Sequence, residues 1–314
     1  MDNEVLIEAR GLTRRYGPTV AVAGLDLTLR KGEILGLLGP NGAGKSTTMK
    51  MLTGTLAPSD GEIRINGVSM REQPKAAKQH LGYLPEQPPV YPELTVDEYL
   101  GYCAGLHGVA GKARAQAVTS AKRDCGLSDV GQRLVGNLSK GYQQRVGIAQ
   151  AIIHRPPVVV LDEPTVGLDP IQIREIRSLI AELGKNHSVI LSSHILPEIQ
   201  AVCGRVMIIA RGKVVYNESL DAIRAGIFGS VVAAFRRPST DLSALSLIDG
   251  VKTVTALGDG RFRFDCVDNA DPREAIVKAA AERSWGLYEL YAQTRTLEET
   301  FVELTSGDEL GKAA

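Results

Sequence analysis

Short apolar stretches separated by glycine and polar residues recur through the first part of the chain. In LDLTLR, Leu25, Leu27 and Leu29 alternate with polar positions, and this period of two predicts a half-buried strand. The stretches GEILGLLG (32–39), PVVVLDEP (157–164) and SVILSSH (188–194) contain continuous apolar runs, as strands of a buried parallel sheet do. Helical patterns lie between them. The sequence therefore predicts an α/β core built on a parallel sheet.

A longer helical pattern runs from about Thr95 to Gly136. Thr95 and Glu98 have the spacing of a capping box, in which the side chain and backbone of each residue bond to the other. Further along, VMIIARGKVVYN (206–217) predicts a hairpin that turns at Arg211-Gly212-Lys213.

Roughly the last quarter of the chain has a different pattern, in which VVAAFRR, VKTVTAL, RFRFDCV and LYELYAQ predict strands. DPREAIVKAAAERSWG predicts a helix with Asp271 as its cap and Pro272 at its first position. Thr296 and Glu299 predict a capping box for a last helix. The order strand–helix–strand–strand–helix–strand indicates a small α+β domain of ferredoxin-like type.

Composition narrows the function classes. The chain has 314 residues, 44% of them hydrophobic, which is enough for more than one compact unit. No window approaches the run of about 18 apolar residues that a membrane-spanning helix needs, and MDNEVLIEAR lacks the layout of a secretory signal. We therefore expect a cytoplasmic chain. Lys plus Arg and Asp plus Glu each number 36, and this balance argues against nucleic-acid binding. Four scattered cysteines predict reduced, core-filling side chains.

The stretch GPNGAGKST fits the phosphate-loop pattern G-x-x-x-x-G-K-[ST]. Its glycines let the backbone curl so that successive N–H groups point at phosphate oxygens, and the following helix adds its positive N-terminal end. Lys45 would place its charge on the β- and γ-phosphates, and the Ser46 hydroxyl can bind Mg²⁺. The predicted nucleotide contacts are Gly39, Pro40, Asn41, Gly42, Ala43, Gly44, Lys45, Ser46 and Thr47.

Acidic residues and a histidine follow two of the apolar strands. The C-terminal edge of a parallel sheet faces the ligand crevice, so Asp162 suits a Mg²⁺ site and Glu163 is left to polarise an attacking water. His194 follows the next strand and is placed to hydrogen-bond the γ-phosphate and hold that water. Taken alone, a surface acidic pair and a structural histidine are the alternatives. The remaining histidines are interpreted as structural: His80, His107, His154 and His187.

Four segments in a fixed order, GPNGAGKST, LSKGYQQR, LDEPTVGLD and SSHIL, resemble the nucleotide-binding domain of ABC transporters. The resemblance covers roughly residues 5–228 and is closest to ATPase subunits of the ABC-2 type, which are separate polypeptides. It implies a P-loop NTPase core with antiparallel β and helical subdomains over 1–228, the helical one at about 95–155. It also implies a small C-terminal α+β accessory domain over 229–314.

The resemblance implies roles for single positions as well. Tyr16 lies where the family stacks an aromatic ring on adenine, with a core aromatic as the alternative. Gly167 to Asp169 match a loop that communicates between two sites, and Asp169 is expected to contact nucleotide. Two such domains pack head to tail, so Ser139 and Gly141 would reach the γ-phosphate of ATP held by the partner. ATP and Mg²⁺ are thus the expected ligands, and a homodimer is the expected assembly.

Two positions depart from the family pattern. The common signature is LSGGQ, whereas this chain has Lys140 and Tyr142. Lys140 either adds a positive charge near phosphate or is a solvated residue at a helix start. The family usually has a glutamine after the strand equivalent to LGYLP, and alignment places Glu86 there, with Gln87 next. We expect Glu86 to contact the nucleotide and bind Mg²⁺; a one-residue shift to Gln87 is the alternative.

The implied activity is ATP hydrolysis that drives a separate transmembrane permease of the ABC-2 type, with export the expected direction. The chain would act peripherally on the cytoplasmic face of the inner membrane. Pro88, Pro89 and Pro92 with Tyr91 would receive a coupling helix of the permease, or form a rigid turn without a partner. The alternative function is a soluble ABC ATPase that acts on ribosomes or DNA. Such proteins usually carry two nucleotide-binding domains or long coiled-coil insertions, which this sequence lacks.

Overall fold

The computed structural model describes residues 4–220, 228–237, 245–267, 270–294, 298 and 301–302. The chain divides into two compact units, Met1–Ser219 and Leu220–Ala314. The predicted capping box at Thr296 and Glu299 lies outside the described residues.

A six-stranded sheet forms the centre of the first unit, and the continuous apolar runs of the sequence supply its middle strands. The strands are β3 (Ile34–Leu38), β6 (Leu81–Leu84), β7 (Val158–Asp162), β8 (Ser188–Ser193), β9 (Arg205–Ala210) and β10 (Lys213–Ser219). Their order is β10-β9-β3-β8-β7-β6, and all neighbours are parallel except the β9–β10 hairpin. The C-terminal ends of β3, β8 and β7 therefore lie side by side at one edge.

The predicted hairpin is confirmed, with its turn at Arg211 and Gly212. Both residues have positive φ angles, 51° and 76°. Two consecutive residues of this kind form the tight turn whose twist matches that of paired strands.

A second, antiparallel sheet accompanies the first. It contains β1 (Val5–Tyr16), β2 (Thr19–Arg30), β4 (Asp60–Ile65) and β5 (Val68–Ser69), in the order β2-β1-β4-β5. The alternation at Leu25, Leu27 and Leu29 is confirmed, because all three side chains are buried and the intervening Asp26 is exposed.

The helices of this unit connect the strands. They are α1 (Lys45–Leu52), α2 (Pro74–Gln79), α3 (Val96–Leu106), α4 (Gly111–Asp124), α5 (Lys140–Ile152), α6 (Pro170–Leu183) and α7 (Leu196–Val202). The predicted capping box at the start of α3 is present: Thr95 Oγ1 accepts from the Glu98 N–H at 3.2 Å, and Glu98 Oε2 accepts from the Thr95 N–H at 2.8 Å. The α/β core with antiparallel and helical parts is thus confirmed.

The second unit contains a four-stranded antiparallel sheet and a helix. The elements are β11 (Phe228–Phe235), β12 (Val251–Gly258), β13 (Arg261–Cys266), α8 (Arg273–Glu282) and β14 (Leu287–Thr294). The strand order β12-β13-β11-β14 is that of a ferredoxin-like sheet. The segment between β11 and β12, where the predicted order places a helix, includes 238–244, which lie outside the described residues. Phe235, Phe264 and Trp285 pack in the core of this unit.

One predicted boundary in this unit is wrong by a residue. The helix α8 begins at Arg273, and Pro272 is its N-cap instead of its first helical residue. Asp271 still serves the helix start, because its carboxylate accepts from the Arg273 N–H at 3.2 Å.

Within the part of the chain that the structure describes, no helix combines the length and the apolar character needed to cross a membrane. All four cysteines lie in the described part and are unpaired thiols. Burial raises the pKa of each, which keeps these thiols protonated.

Candidate functional site

The phosphate-loop sequence forms the turn between β3 and α1. Gly44 has φ of 107°, a conformation that favours glycine, and a Cβ there would lie 2.7 Å from the backbone oxygen of Ala21. At Gly39 a Cβ would lie 2.3 Å from the backbone oxygen of Ile209. Both glycines are thus required by close backbone approach. The turn leads into the N-terminal end of α1, where helices favour negative charge.

Lys45 points into the site from the first position of α1. Its side chain is 5% exposed, and Nζ donates to the backbone oxygens of Gly39 at 2.8 Å and Pro40 at 3.3 Å. The same ammonium lies 3.4 Å from Glu163 Oε1. Three oxygens therefore hold the lysine charge at the centre of the loop.

Asp162 ends β7 and is almost completely buried. Its Oδ1 accepts from Ser192 Oγ at 2.6 Å and lies 3.4 Å from Ser46 Oγ. Burial raises the pKa of Asp162, and the bonds from the two hydroxyls oppose that rise. The parallel register pairs Asp162 with Ser192, so the sheet itself brings the hydroxyl to the carboxylate.

Glu163 and His194 contact each other at the ends of neighbouring strands. His194 Nδ1 lies 2.8 Å from Glu163 Oε2, so the carboxylate is placed between an imidazole and the Lys45 ammonium. The Glu163 side chain is 8% exposed, whereas that of His194 is 38% exposed. Glu163 also has φ of 49°, which is uncommon for a residue with a side chain. Its N–H donates to Ser192 Oγ at 2.9 Å, which fixes the backbone at this point.

Lys45, Ser46, Glu163 and His194 line one cleft of about 410 Å³. The lining residues are Ala21, Asn41, Gly42, Gly44, Lys45, Ser46, Thr47, Glu86, Glu163, Val166 and His194. Glu86 lines the cleft, and Gln87 is not among the described residues that do so. Ala21 and Val166 belong to the cleft and were not predicted, because an apolar residue in a strand or loop carries no chemical signal in the sequence.

Seven of the predicted nucleotide contacts are absent from the described lining of this cleft, as is the predicted Mg²⁺ ligand Asp162; the seven are Tyr16, Gly39, Pro40, Ala43, Ser139, Gly141 and Asp169. Tyr16 ends β1, is 47% exposed and has the Arg14 guanidinium 4.7 Å from its ring centre. It is therefore a surface aromatic, and the alternative of a core aromatic is wrong.

Ser139, Gly141 and Asp169 lie at the starts of two helices. Ser139 is the exposed N-cap of α5, and its Oγ accepts from the Tyr142 N–H at 3.4 Å. Asp169 is the N-cap of α6, where Oδ1 accepts from the next two free N–H groups at 2.9 Å each. The two starts touch, because a Cβ at Gly141 would lie 2.8 Å from the Gln172 side chain.

Lys140 lies at the same junction. A Cβ at Gly167 would be 2.0 Å from Lys140 Nζ, so the ammonium rests against the loop between β7 and α6. The residue is exposed. Lys140 is thus a surface cation at the start of α5, with its charge beside the Gly167 turn.

Sequence reasoning missed the hydroxyl groups that hold the site together. Ser192 binds both Asp162 and Glu163, and Ser193 and Thr165 bind a second buried carboxylate, Glu198. The serines stand directly before His194 in the sequence, but serine in a strand is ordinary. Only the strand order and register give these residues a function in the site.

Comparisons with known proteins place these motifs in one family. The family model described as ABC transporter matches residues 22–166. The chain is 39% identical over 221 residues to the bacitracin transport ATP-binding protein BcrA of Bacillus licheniformis, covering 70% of this chain and 71% of that protein. It is 35% identical over 226 residues to the probable multidrug ABC transporter ATP-binding protein YbhF of Escherichia coli, covering 71% of this chain. The match spans only 38% of YbhF.

A solved structure gives the same result in three dimensions. The structure described as the ATP binding subunit of an ABC transporter is 32% identical to this chain and superposes with a TM-score of 0.63. The match covers 70% of this chain and 92% of the chain in that structure.

Proposed function

Because this chain belongs to the ATP-binding proteins of ABC transporters, we propose that it works as a head-to-tail homodimer that binds Mg²⁺ and ATP and drives a separate ABC-2 permease for export. One observation carries the proposal: a P-loop lysine, a buried glutamate and a histidine meet within 2.8–3.4 Å in one cleft. The chain would act on the cytoplasmic face of the membrane that holds the permease.

The P-loop supplies the binding of the phosphates. The glycine-rich loop that leads into α1 would offer backbone N–H groups and the N-terminal end of the helix to negative charge. Lys45 is already held in place by the backbone oxygens of Gly39 and Pro40, so its ammonium needs little reorganisation to reach the β- and γ-phosphates. A phosphate beside Lys45 would compete with the Glu163 carboxylate for the same ammonium.

The cleft, together with Asp162 beside its Ser46, offers a donor set that suits Mg²⁺. Ser46 Oγ, Asp162 Oδ1 and the carboxylate of Glu86 are all oxygens, which is the chemistry that Mg²⁺ prefers. Within the described residues no three acidic, histidine or cysteine side chains form a metal cage. Mg²⁺ commonly takes one or two carboxylates together with substrate phosphates and water, so this set fits. The ion would supply positive charge to the phosphate oxygens.

Glu163 is proposed as the general base. Its carboxylate lies at the end of β7 beside the loop that holds the phosphates, in position to accept a proton from a water attacking the γ-phosphate in line. His194 contacts the same carboxylate and would orient the water. Tyr16, exposed at the end of β1, would stack on the adenine ring.

The signature segment is proposed to complete the cleft of the partner. Ser139 and Gly141 stand at the N-terminus of the 13-residue helix α5, and they are not among the described residues that line their own cleft. An exposed serine and a helix start suit a γ-phosphate presented by another protomer. Asp169 and Lys140 at the same junction would then face that nucleotide as well.

A group of tyrosines beside a proline-rich loop is proposed to contact the permease. Tyr91 is 45% exposed and packs edge-on against Tyr99 and Tyr102, and Tyr99 Oη donates to the Pro89 oxygen at 2.9 Å. Exposed aromatic rings on a rigid loop are common at protein interfaces. Recovery of a multi-span membrane protein with the tagged chain supports transport, whereas recovery of ribosomal protein or DNA supports the alternative function.

The experiment that tests the site and the dimer uses Glu163→Gln. This variant should retain ATP binding, lose hydrolysis by about 100-fold or more, and form a dimer with Mg²⁺ and ATP by light scattering. Glu182→Gln is the matched control, because this glutamate on α6 is exposed and ion-paired to Lys185. Wild-type turnover in Glu163→Gln would refute the general base. A monomer under these conditions, with unchanged wild-type turnover after Ser139→Ala, would refute the shared cleft.

A further inference from the structure

A second buried carboxylate, Glu198, lies behind the cleft on α7. It is 3% exposed, and both of its hydrogen bonds fall on one oxygen: Oε2 accepts from Thr165 Oγ1 at 2.6 Å and from Ser193 Oγ at 2.8 Å. Both donors are themselves buried. Glu198 is not among the described residues that line the cleft. It can therefore act on the reaction only through the residues that it holds.

The two donors stand next to the proposed reacting groups in the chain. Thr165 is two residues after Glu163, and Ser193 directly precedes His194. Glu198 thus fastens the loop that leaves β7 to the loop that leaves β8. These are the two loops that carry the 2.8 Å contact between Glu163 and His194.

The backbone at Glu163 needs such fastening. Its φ of 49° lies in the left-handed region, which a residue with a side chain adopts only when its surroundings fix it. Ser192 Oγ binds the Glu163 N–H on one side of the turn. Thr165, bound to Glu198, holds the chain on the other side.

The charge of Glu198 is only loosely balanced. Arg177 Nη2 on α6 lies 3.9 Å from Oε1, and Oε1 has no hydrogen bond within the described residues. Burying a carboxylate with a distant counter-ion costs free energy, and the two hydroxyl bonds on Oε2 offset part of that cost. An amide in the same place could accept both bonds through its carbonyl oxygen.

We propose that Glu198 is a positioning residue for ATP hydrolysis, which keeps Glu163 and His194 in contact by tying Thr165 to Ser193. The inference rests on the roles proposed above for Glu163 and His194. A role in folding alone would change stability, whereas positioning changes kcat at a nearly constant KM for ATP.

The test compares Glu198→Ala with Glu198→Gln in the full chain. Glu198→Ala should lower kcat about tenfold or more while KM for ATP changes less than about threefold, since a small misplacement of a reacting group costs rate before it costs binding. Glu198→Gln should stay within about threefold of wild-type kcat because it keeps both hydroxyl bonds. Thr165→Val removes one donor with little change of shape and should lower kcat about tenfold or more, as Glu198→Ala does. If Glu198→Ala does not fold, Thr165→Val alone tests the inference.

Glu33→Ala is the control. It removes a carboxylate that is also largely buried and paired, in this case with Arg205, and Glu33 lies outside the described cleft lining. It should lower stability and leave kcat unchanged.

A second readout does not depend on turnover. The imidazole resonances of His194 are assigned by comparison with His194→Gln. They should shift in Glu198→Ala and keep their wild-type positions in Glu198→Gln. If the wild-type chain hydrolysed no ATP, the proposed function would fail while these spectra would still decide whether Glu198 positions His194. Wild-type kcat and unshifted resonances in Glu198→Ala, or an equal loss in Glu198→Gln, would overturn the inference.

Discussion

Ser192→Ala is the substitution that tests the architecture of the site most directly. The Ser192 hydroxyl is fully buried, donates to Asp162 Oδ1 at 2.6 Å and accepts from the Glu163 N–H at 2.9 Å. Alanine fits the same strand position and removes both bonds. The change therefore removes one hydrogen bond from Asp162 and one from Glu163 while both residues stay in the sequence.

The expected cost follows from the two bonds. A hydrogen bond to a charged group is worth about 1.5–3 kcal/mol, and a buried N–H left without an acceptor costs about 1–3 kcal/mol. The two effects overlap, because the relaxed backbone of Glu163 can find water, so we expect Ser192→Ala to lower the free energy of unfolding by about 3 kcal/mol. That is a large part of the roughly 5–15 kcal/mol by which a domain is stable.

Ser188→Ala on the same strand is the matched control. Ser188 is also buried, but its Oγ accepts one bond, from the Gly32 N–H at 2.8 Å, and contacts no carboxylate of the cleft. It should cost about 1 kcal/mol and leave turnover unchanged.

The measurements are urea unfolding without nucleotide or metal, and steady-state ATP hydrolysis. Ser192→Ala should also lower kcat about tenfold or more, because Glu163 loses the bond that fixes its backbone. If Ser192→Ala matches Ser188→Ala in both stability and turnover, the view that this hydroxyl holds the two carboxylates is wrong.

Three further predictions concern packing and protonation. Gly82→Ala should destabilise the chain by about 1–3 kcal/mol, because the new Cβ would lie 2.0 Å from a backbone oxygen of α5. Gly101→Ala in α3 meets no atom within 4 Å and should stabilise the chain by up to about 1 kcal/mol. Urea unfolding measures both changes. Gly167→Ala should cost about 1–2 kcal/mol from its φ of 69°, and an equal cost in a Lys140→Ala background would show that backbone strain, not the nearby ammonium, is the cause. Burial and the stacked His107 ring lower the pKa of His154 to about 4, below the roughly 6.5 of an unfolded histidine. The stability that neutral His154 contributes is therefore present above pH 6.5 and is lost as the pH falls toward 4. His154→Gln should flatten the dependence of the unfolding free energy on pH between 6.5 and 4, and an unchanged slope would contradict this prediction.

The elements that sequence predicts well are those that depend on neighbouring residues in the chain. GPNGAGKST specifies its own turn because Gly42 and Gly44 supply the positive φ angles of the loop, and the box of Thr95 and Glu98 lies within one helical turn. Asp162 and His194 could be placed at one edge because parallel strands align their C-terminal ends. These predictions needed only the type of the sheet, not its strand order.

The contacts that fix the site depend on more. Ser192 meets Asp162 only because β8 lies next to β7 in a particular register, and Glu198 meets Thr165 only because α7 packs against β8. Serine, threonine and glutamate are residue types that mostly lie on protein surfaces, so nothing in the sequence marks these positions as buried. Their burial and pairing follow from tertiary packing, which no local pattern encodes.

The strand β8 supplies two consecutive hydroxyls to two different carboxylates because successive side chains of a strand point to opposite faces. Ser192 therefore reaches Asp162, which contacts Ser46 of the cleft, while Ser193 reaches Glu198 on the other face. A slip of one residue in the pairing of β7 and β8 would turn each hydroxyl to the wrong face and break both anchors together. The strands β7 and β8 are buried along their whole length, so the packing of side chains in the core of the sheet holds Asp162 and Ser192 in this register. The packed core therefore also positions the polar groups at the C-terminal edge of the sheet. The free-energy cost of orienting Glu163 and His194 is met once, in folding, instead of at each turnover.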